Sequence, residues 1–354
     1  MYILMSNTSM EKIFNTYFSS NNSEMEARFG SNTPLTRIDF NNVIQKIKSL
    51  GFQTKGENYL LRIQNEYDDV KSGRKNISNI RVEIKHLMNI KRYCEKNSFN
   101  FENIPNYVSF MQKKRMMKPF DVSDFNFRVN LKSEIPLTKQ NNLVKNTLSN
   151  WQKSKKVFRY IKRFTYRHPD FPLQIDCSIV KSSRQRNGRF IPALRIEDSN
   201  IFSNQEIYEI EIEIIKDKKQ KKETYQSFRQ AIKYVLSGLQ QSNYPISYRE
   251  MKQISHEYLI LLHGVNQKRD TTSRDFAGPS SISLEIPNIM DKDSDIPNIR
   301  QPYTVTDKAD GMRKLLYISK NGKIYLLDTN MNVLFTGCIA LNHFDTLIDG
   351  EHVI

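Results

Sequence analysis

Tyr208-Glu209-Ile210-Glu211-Ile212-Glu213-Ile214-Ile215 alternates charged and apolar side chains with period two. The spacing predicts a strand with Ile210, Ile212 and Ile214 on one face and Glu209, Glu211 and Glu213 on the other. Three like charges along one face cost little in water. In an enclosed site they cost much more unless a cation sits among them. Alone, the pattern also suits the wetted face of an ordinary two-sided sheet. A second stretch, Glu24-Met25-Glu26-Ala27-Arg28-Phe29-Gly30, again sets two carboxylates, Glu24 and Glu26, on one strand face, about a domain's length upstream. Two such strands from opposite ends of one domain can pair. Together they offer hard oxygen donors of the kind Mg²⁺ or Mn²⁺ prefers.

The chain of 354 residues has room for two domains of ordinary size. Its net charge of +16 favours polyanionic partners such as nucleic acid, anionic membrane or polyphosphate. A hydrophobic fraction of 38% with abundant Tyr and Phe supports a packed core and excludes global disorder. Cys94, Cys177 and Cys338 are widely spaced and form no Cys-x-x-Cys. That argues against a zinc site or a disulfide framework and suits a reducing compartment. The first residues lack the basic and apolar regions of a signal peptide, and no apolar run is long enough to span a bilayer. The expectation is a soluble intracellular protein with no membrane partner.

Taken in order, the periodicity predicts a helix over 8–20, the Glu24–Phe29 strand, and a helix opened by Asp39 and ended by Gly51. Strands are expected over Tyr59–Tyr67, Ile80–Lys85, Tyr107–Met117 and Phe125–Glu134, the last two linked by a turn at Lys118-Pro119-Phe120-Asp121. A helix over Leu143–Trp151 follows, then a hairpin of Val157–Arg167 and Leu173–Val180. Beyond the glutamate strand, Lys216–Lys222 reads as an exposed basic connector, and Thr224–Leu239 as a helix stopped near Gly238. One face of these strands carries Arg, Lys and Glu at every second position, which fits a closed barrel with a charged lumen better than a sandwich. The lumen candidates are Arg81 and Lys85, Lys113 and Arg115, Arg128, Asn130 and Lys132, Lys162 or Arg163, and Asp176 with Ser178. Acidic groups would hold a divalent metal and basic groups the phosphates it touches. That is the chemistry of phosphoanhydride hydrolysis, in which the protein neutralises charge and aligns a water.

The two glutamate stretches resemble the end motifs of the triphosphate tunnel metalloenzymes. More narrowly, residues 1–240 resemble the metal-dependent RNA triphosphatases of fungal and large DNA virus capping enzymes. Arg81–Lys85, Arg128–Lys132, the Lys162-Arg163 strand and the Asp176 strand are similar to that family's phosphate-binding and metal-supporting strands. The resemblance implies an α+β fold: an eight-stranded antiparallel tunnel with flanking helices. It also implies removal of the γ-phosphate from a 5′-triphosphate RNA with Mg²⁺ or Mn²⁺. Glu24, Glu26, Glu209, Glu211, Glu213 and Asp176 are the candidate metal ligands, with Glu211 and Glu213 favoured opposite Glu24 and Glu26. Glu26 and Glu211 are the acidic residues expected to matter most for catalysis. Arg81, Lys85, Lys113, Arg115, Arg128, Lys132, Lys162 and Arg163 are the candidate phosphate ligands.

Past a boundary near residue 240 the chain changes character. A helix over Ser247–Leu262 and an extended entry segment, together spanning 241–300, precede Tyr303-Thr304-Val305-Thr306-Asp307-Lys308-Ala309-Asp310-Gly311-Met312-Arg313. That stretch reads as a strand running into Lys-x-Asp-Gly-x-Arg. A lysine amine attacks an α-phosphate only after losing its proton. Asp310 can orient Lys308, Gly311 lets the backbone come close, and Arg313 can hold phosphate or ribose. Three further strands, with a turn at Asn321-Gly322, lead to Asp349-Gly350-Glu351.

The two motifs resemble those of the covalent nucleotidyltransferases, and Phe276–Leu284 is similar to a guanylyltransferase entry segment. The resemblance implies that Lys308 forms a lysyl-GMP intermediate from GTP, with Asp310, Gly311, Arg313, Asp349 and Glu351 at the nucleotide. Residues 301–354 would then be the first part of a guanylyltransferase domain. The ensemble resembles the multifunctional mRNA capping enzymes of large cytoplasmic DNA viruses. It implies nascent mRNA and GTP as partners, a possible methyltransferase domain or subunit, and a site in a viral factory or virion. Later nucleotidyltransferase motifs are absent from the sequence, so triphosphatase activity without complete guanylyl transfer is expected. Two other readings stay open. One is a tunnel-fold phosphohydrolase or polymerase acting on nucleotides or polyphosphate. The other is a non-catalytic RNA-binding module using the basic runs Lys153–Lys156, Arg184–Arg189 and Lys216–Lys222.

Overall fold

The computed structural model describes residues 8–69, 73–215, 221–264, 268–278, 283–290, 298–300, 302, 304–305, 307 and 309–353. It divides into two units, Met1–Gln241 and Ser242–Ile354.

The strands of the first unit are β1 (Ser23–Phe29), β2 (Gln53–Asp69), β3 (Arg74–Ile77), β4 (Ile80–Lys85), β5 (Val108–Arg115) and β6 (Phe120–Val122), then β7 (Phe127–Leu137), β8 (Lys156–Arg167), β9 (Leu173–Ser182), β10 (Gln185–Arg186), β11 (Arg189–Phe190) and β12 (Ile207–Ile214). Its helices are α1 (Thr8–Ser19), α2 (Arg37–Ser49), α3 (Leu87–Lys96), α4 (Asn142–Ser149) and α5 (Lys221–Gln240). Bonding runs β1-β12-β9-β8-β2-β4-β5-β7, and β7 pairs back onto β1. Every pairing is antiparallel. The result is a closed barrel of eight strands, and closure leaves no open sheet edge. Short β3 and β6 extend β2 and β7.

Alternation sends most of the apolar side chains of the strands outward. The hydrophobic core therefore lies outside the barrel, between its wall and the helices. Met25, Ala27, Ile175, Ile210 and Ile212 pack with Phe14, Val43 and Phe228 of α1, α2 and α5. Leu61, Ile63, Val82, Ile84 and Phe158 pack with Ile90, Val144 and Trp151. The charged half of each strand is left for the lumen.

Local details depart from the sequence reading. Thr36, not Asp39, caps α2; its hydroxyl accepts from the Asp39 amide at 3.1 Å, and the Asp39 carboxylate accepts from the Thr36 amide at 2.8 Å. Phe120 and Asp121 belong to β6 rather than to a turn. Gly238 does not stop α5 but lies buried within it. A Cβ there would sit 2.7 Å from Val43 Cα, so the glycine allows α2 and α5 to approach closely. Helix α3 escaped the periodicity reading because it buries only Ile90 and Tyr93. Of the expected basic connector, Lys216–Gln220 lies outside the described residues, and Lys221 and Lys222 begin α5.

The second unit contains α6 (Tyr248–His263) and strands β13 (Met312–Ile318), β14 (Lys323–Asp328), β15 (Val333–Ile339) and β16 (Thr346–His352). Ser247 caps α6, accepting from the Glu250 amide at 3.0 Å. The antiparallel order is β15-β14-β13-β16. Its core holds Tyr258, Leu315, Tyr317, Tyr325 and Leu327. The strand expected from Tyr303 does not form at Thr304, Val305 or Asp307; β13 begins at Met312, where pairing with β16 begins. Tyr303, Thr306 and Lys308 lie outside the described residues. Among the described residues no helix is long and apolar enough to cross a membrane.

Candidate active site

Barrel closure brings the two glutamate strands side by side. Glu26 lies opposite Glu213 in the β1–β12 register, and Arg28 lies opposite Glu211. On the other flank of β1, Glu24 faces Lys132 and Glu26 faces Asn130. Residues of one parity on each strand thus share one lumen, which encloses a cavity of about 300 Å³. Glu24, Glu26, Glu211, Glu213, Arg81, Lys113, Lys132 and Arg163, all singled out from sequence, line it.

The lining balances seven arginines and lysines against six glutamates, but the signs are not evenly spread. Around Glu24 and Glu213 negative charge is in excess. Burial, aided by Glu134 and Glu26, raises the Glu24 carboxyl to about 8 despite the adjacent Lys113 ammonium. Burial, with Asp176 and Glu134 nearby, raises Glu213 to about 7. Glu211 shows the opposite balance: burial opposes ionisation, yet Arg163, Arg28 and Arg159 hold it down to about 2.

Elsewhere positive charge is in excess. Arg81 makes no ion pair among the described residues, and its acidity is increased by burial and then by Arg62. Arg159 is shifted the same way, first by burial and also by Arg62, although it bonds Glu209. Its Nε is a buried donor without a partner. Arg62 is engaged by Glu83 at 2.6 Å. An enclosed wall of guanidiniums with an unused donor suits an anion.

Several candidate residues have other roles. Glu209 is buried and bonded by Arg28 at 2.5 Å and by Arg159. Asp176 is buried; it pairs with Arg163 at 2.8 Å and accepts from Thr165 at 2.6 Å. Both therefore aim arginines into the lumen. Lys132 bonds Glu26, and Lys113 bonds Glu24 and Glu134. Lys85 and Arg115 have lumen parity but are exposed at strand ends and do not line the cavity. Arg128 shares that parity, but its guanidinium pairs with Asp121 at 2.8 Å, away from the cavity lining. Lys162 points outward into a surface groove, where it pairs with Glu57 at 2.9 Å. Sequence reading overlooked Arg28, Arg62, Glu83, Glu134 and Arg159 as lining residues.

The donor set fits a hard divalent cation. Glu26 and Glu213 lie opposite each other in the strand register, and burial, with neighbouring carboxylates, raises the Glu24 and Glu213 carboxyls, a cost that a cation would relieve. Among the described residues no three such groups already converge as a finished cage. Lys113 and Lys132 now occupy the oxygens.

In the second unit, Arg313 grips Asp349 through two bonds of 3.0 and 2.6 Å and stacks on the Phe276 ring at 5.3 Å. Register places Arg313 opposite Glu351. A Cβ on Gly278 would collide with the Arg313 guanidinium, and one on Gly311 would lie 2.7 Å from the His352 carbonyl oxygen. Asp310, Asp349 and Glu351 are exposed at this edge. Lys308 is outside the described residues.

Residues 246–354 match the family model described as mRNA capping enzyme, catalytic domain. A probable mRNA-capping enzyme of Acanthamoeba polyphaga mimivirus is 27% identical over 359 residues, covering 91% of this chain. The chain spans 28% of the length of that relative. The similarity to this probable viral capping enzyme thus runs over nearly the whole chain. Among solved structures, the RNA triphosphatase domain of a trifunctional mimivirus mRNA capping enzyme is 16% identical, with a TM-score of 0.44 over 64% of this chain and 95% of that one. The Pct1 RNA triphosphatase of S. pombe is 12% identical, with a TM-score of 0.39 over 65% of this chain and 92% of that one.

Proposed function

We propose that the first unit removes the γ-phosphate from 5′-triphosphate RNA with the help of Mg²⁺ or Mn²⁺, as the first step of mRNA capping. The observation that carries this reading is the polarised lumen: one closed barrel sets a crowded carboxylate cluster facing a wall of guanidiniums. The sequence relationship to a viral capping enzyme supports the choice of RNA over free polyphosphate.

Glu24, Glu26, Glu211 and Glu213 would hold the cation. A cation held there would supply charge neutralisation for the triphosphate and would lower the pKa of a water. Arg62, Arg81, Arg159 and Arg163 bind and straighten the triphosphate, with Arg159 offering its unused Nε. Lys113 and Lys132, which pair with Glu24 and Glu26, are the lysines that would turn to phosphate oxygens. Glu209 and Asp176 keep their arginines aimed inward. The enclosed lumen limits bulk water, so each charge interaction there is stronger than it would be at the surface.

We assign the second unit to guanylyl transfer. Lys308, as the free amine, would attack the α-phosphate of GTP, forming lysyl-GMP as the α–β phosphoanhydride bond breaks and pyrophosphate leaves, while Arg313, set by Asp349 and Phe276, binds the nucleotide with Glu351. Asp310 and Gly311 complete the Lys-x-Asp-Gly motif. A following methyltransferase is compatible with this role. The deciding experiment measures labelled γ-phosphate release from triphosphate RNA, with either metal and with chelator, for the wild type and Glu26→Ala. Metal-dependent release that is lost in the variant is expected. Metal-independent release, or none alongside intact RNA binding, would overturn the reading.

A further inference from the structure

The run Arg184–Arg189, noted for its charge, folds as a structure of its own. Strands β10 and β11 form a two-residue hairpin in which Arg186 lies opposite Arg189 and Gln185 opposite Phe190. Asn187 and Gly188 at its tip both take left-handed backbone, with φ of 51° and 73°, as a tight primed turn requires. The hairpin follows directly on β9. Phe190 lines the lumen cavity together with Val157 and Arg159, yet is 37% exposed, so it stands on the rim. Alternation puts Arg184, Arg186 and Arg189 on the ribbon face opposite Phe190. All three are exposed, and none forms an ion pair with a described residue. Like charges directly across a hairpin are destabilising, a cost removed by an anion bridging them.

The lumen itself is nearly neutral, with seven cations against six glutamates, so the surplus of +16 lies mainly elsewhere. A triphosphate end that enters the barrel leaves its first nucleoside and the following phosphodiesters at a rim. Resting on the triphosphatase reading above, we propose that the β10–β11 hairpin grips single-stranded RNA behind the triphosphate and so separates RNA ends from free polyphosphate. Phe190 offers a ring face to the first base. The three arginines track the next phosphodiesters over the outer face of the ribbon.

Three phosphate contacts predict a salt slope of about −2 on log–log axes for single strands. Raising salt from about 50 to about 200 mM should then weaken RNA engagement about 18-fold through this element alone. The test compares γ-phosphate release from a triphosphate RNA and from inorganic tripolyphosphate, across that salt range, for the wild type, Arg186→Ser/Arg189→Ser and Arg186→Lys/Arg189→Lys. The serine pair should raise KM for RNA and cut the hairpin's share of the salt effect to about 3-fold, the slope left by one contact. Tripolyphosphate hydrolysis should stay unchanged, and the lysine pair should retain the wild-type salt slope. A serine pair with wild-type KM and slope for RNA, or an equal loss on tripolyphosphate, overturns the proposal. If the wild type hydrolyses neither substrate, the triphosphatase reading fails. Fluorescence anisotropy with a 5′-hydroxyl RNA then decides the hairpin separately: weakened binding by the serine pair supports it, and unchanged binding overturns it.

Discussion

Raising the pH of the metal-free protein from about 5 to about 8.5 should loosen the first unit, and a divalent cation should reverse the effect. In the folded protein Glu24 ionises at about 8 and Glu213 at about 7, against an ordinary 4.5. Between those values the folded state keeps protons that the unfolded chain has released, so stability falls as pH rises. At about 1.4 kcal/mol per pH unit, the upper bounds are about 5 kcal/mol for Glu24 and about 3 kcal/mol for Glu213. Side-chain relaxation and ions in the lumen bring the pair to about 3–4 kcal/mol. Glu211, held down to about 2, stabilises the fold in the opposite sense. Its contribution is complete above its ordinary 4.5 and does not change across this window. A loss of this size is a large share of the roughly 5–15 kcal/mol that holds a domain folded. Trp151 is the sole tryptophan and is buried in the first unit, so its emission follows that unit alone. At about 2–4 °C per kcal/mol, its melting midpoint should drop about 10 °C in chelator and much less with Mn²⁺. A midpoint that stays flat or rises with pH in chelator, or that ignores Mn²⁺ at the higher pH, would refute the reasoning.

Three further outcomes are expected. Arg163→Ala strands Asp176 and Glu211, which it meets at 2.8 and 3.5 Å, and should cost about 3–5 kcal/mol in urea unfolding followed by Trp151 as well as most of the phosphate release. Gly238→Ala should destabilise the first unit by about 1–3 kcal/mol because the new methyl meets the α2 backbone, outweighing the better helix propensity of alanine; a higher urea midpoint would contradict the close-packing role. Lys156 is buried; among the described residues its ammonium donates to the Ser154 and Leu194 carbonyls and lies over the Trp151 ring, and burial lowers it to about 8. The folded state therefore releases this proton before the unfolded chain does, and stability should rise with pH from about 8 towards 10.5. Lys156→Met should abolish that rise in urea midpoints measured at two alkaline pH values.

The barrel was legible because its signal is local and repeated. Period-two charge on strand after strand marks a wetted inner face, and the two glutamate strands mark the ends of the domain. The residues that escaped did so for physical reasons. Arg62 sits on β2, whose inner face also carries Leu60 opposite Ile161, so its alternation is blurred. Choosing Arg163 over Lys162 needed the register of β8, which Arg159 supplies four residues earlier on the same face. Glu134 continues the Arg128, Asn130, Lys132 series by one step, past the point where the series was read as ending. Lys85 and Arg115 have the right parity, but parity says nothing about depth, and both fall at the barrel's ends. Gly238 shows the converse: a glycine near a helix end read as punctuation, when its cause was a neighbouring helix in space.

The closing strand is bonded to β7, about a hundred residues further along, and to β12, close to two hundred residues further along. Barrel closure is therefore a late event in the life of a nascent chain. Until Ile207–Ile214 has left the ribosome, β1 has only one of its two neighbours, and Glu26 has no Glu213 to face. Assembly of the acidic cluster and completion of the wall are the same step. A prematurely ended or misregistered chain should consequently present an exposed strand edge and no metal-competent pair together, so that a faulty copy is recognisable to chaperones by the same defect that leaves it inactive.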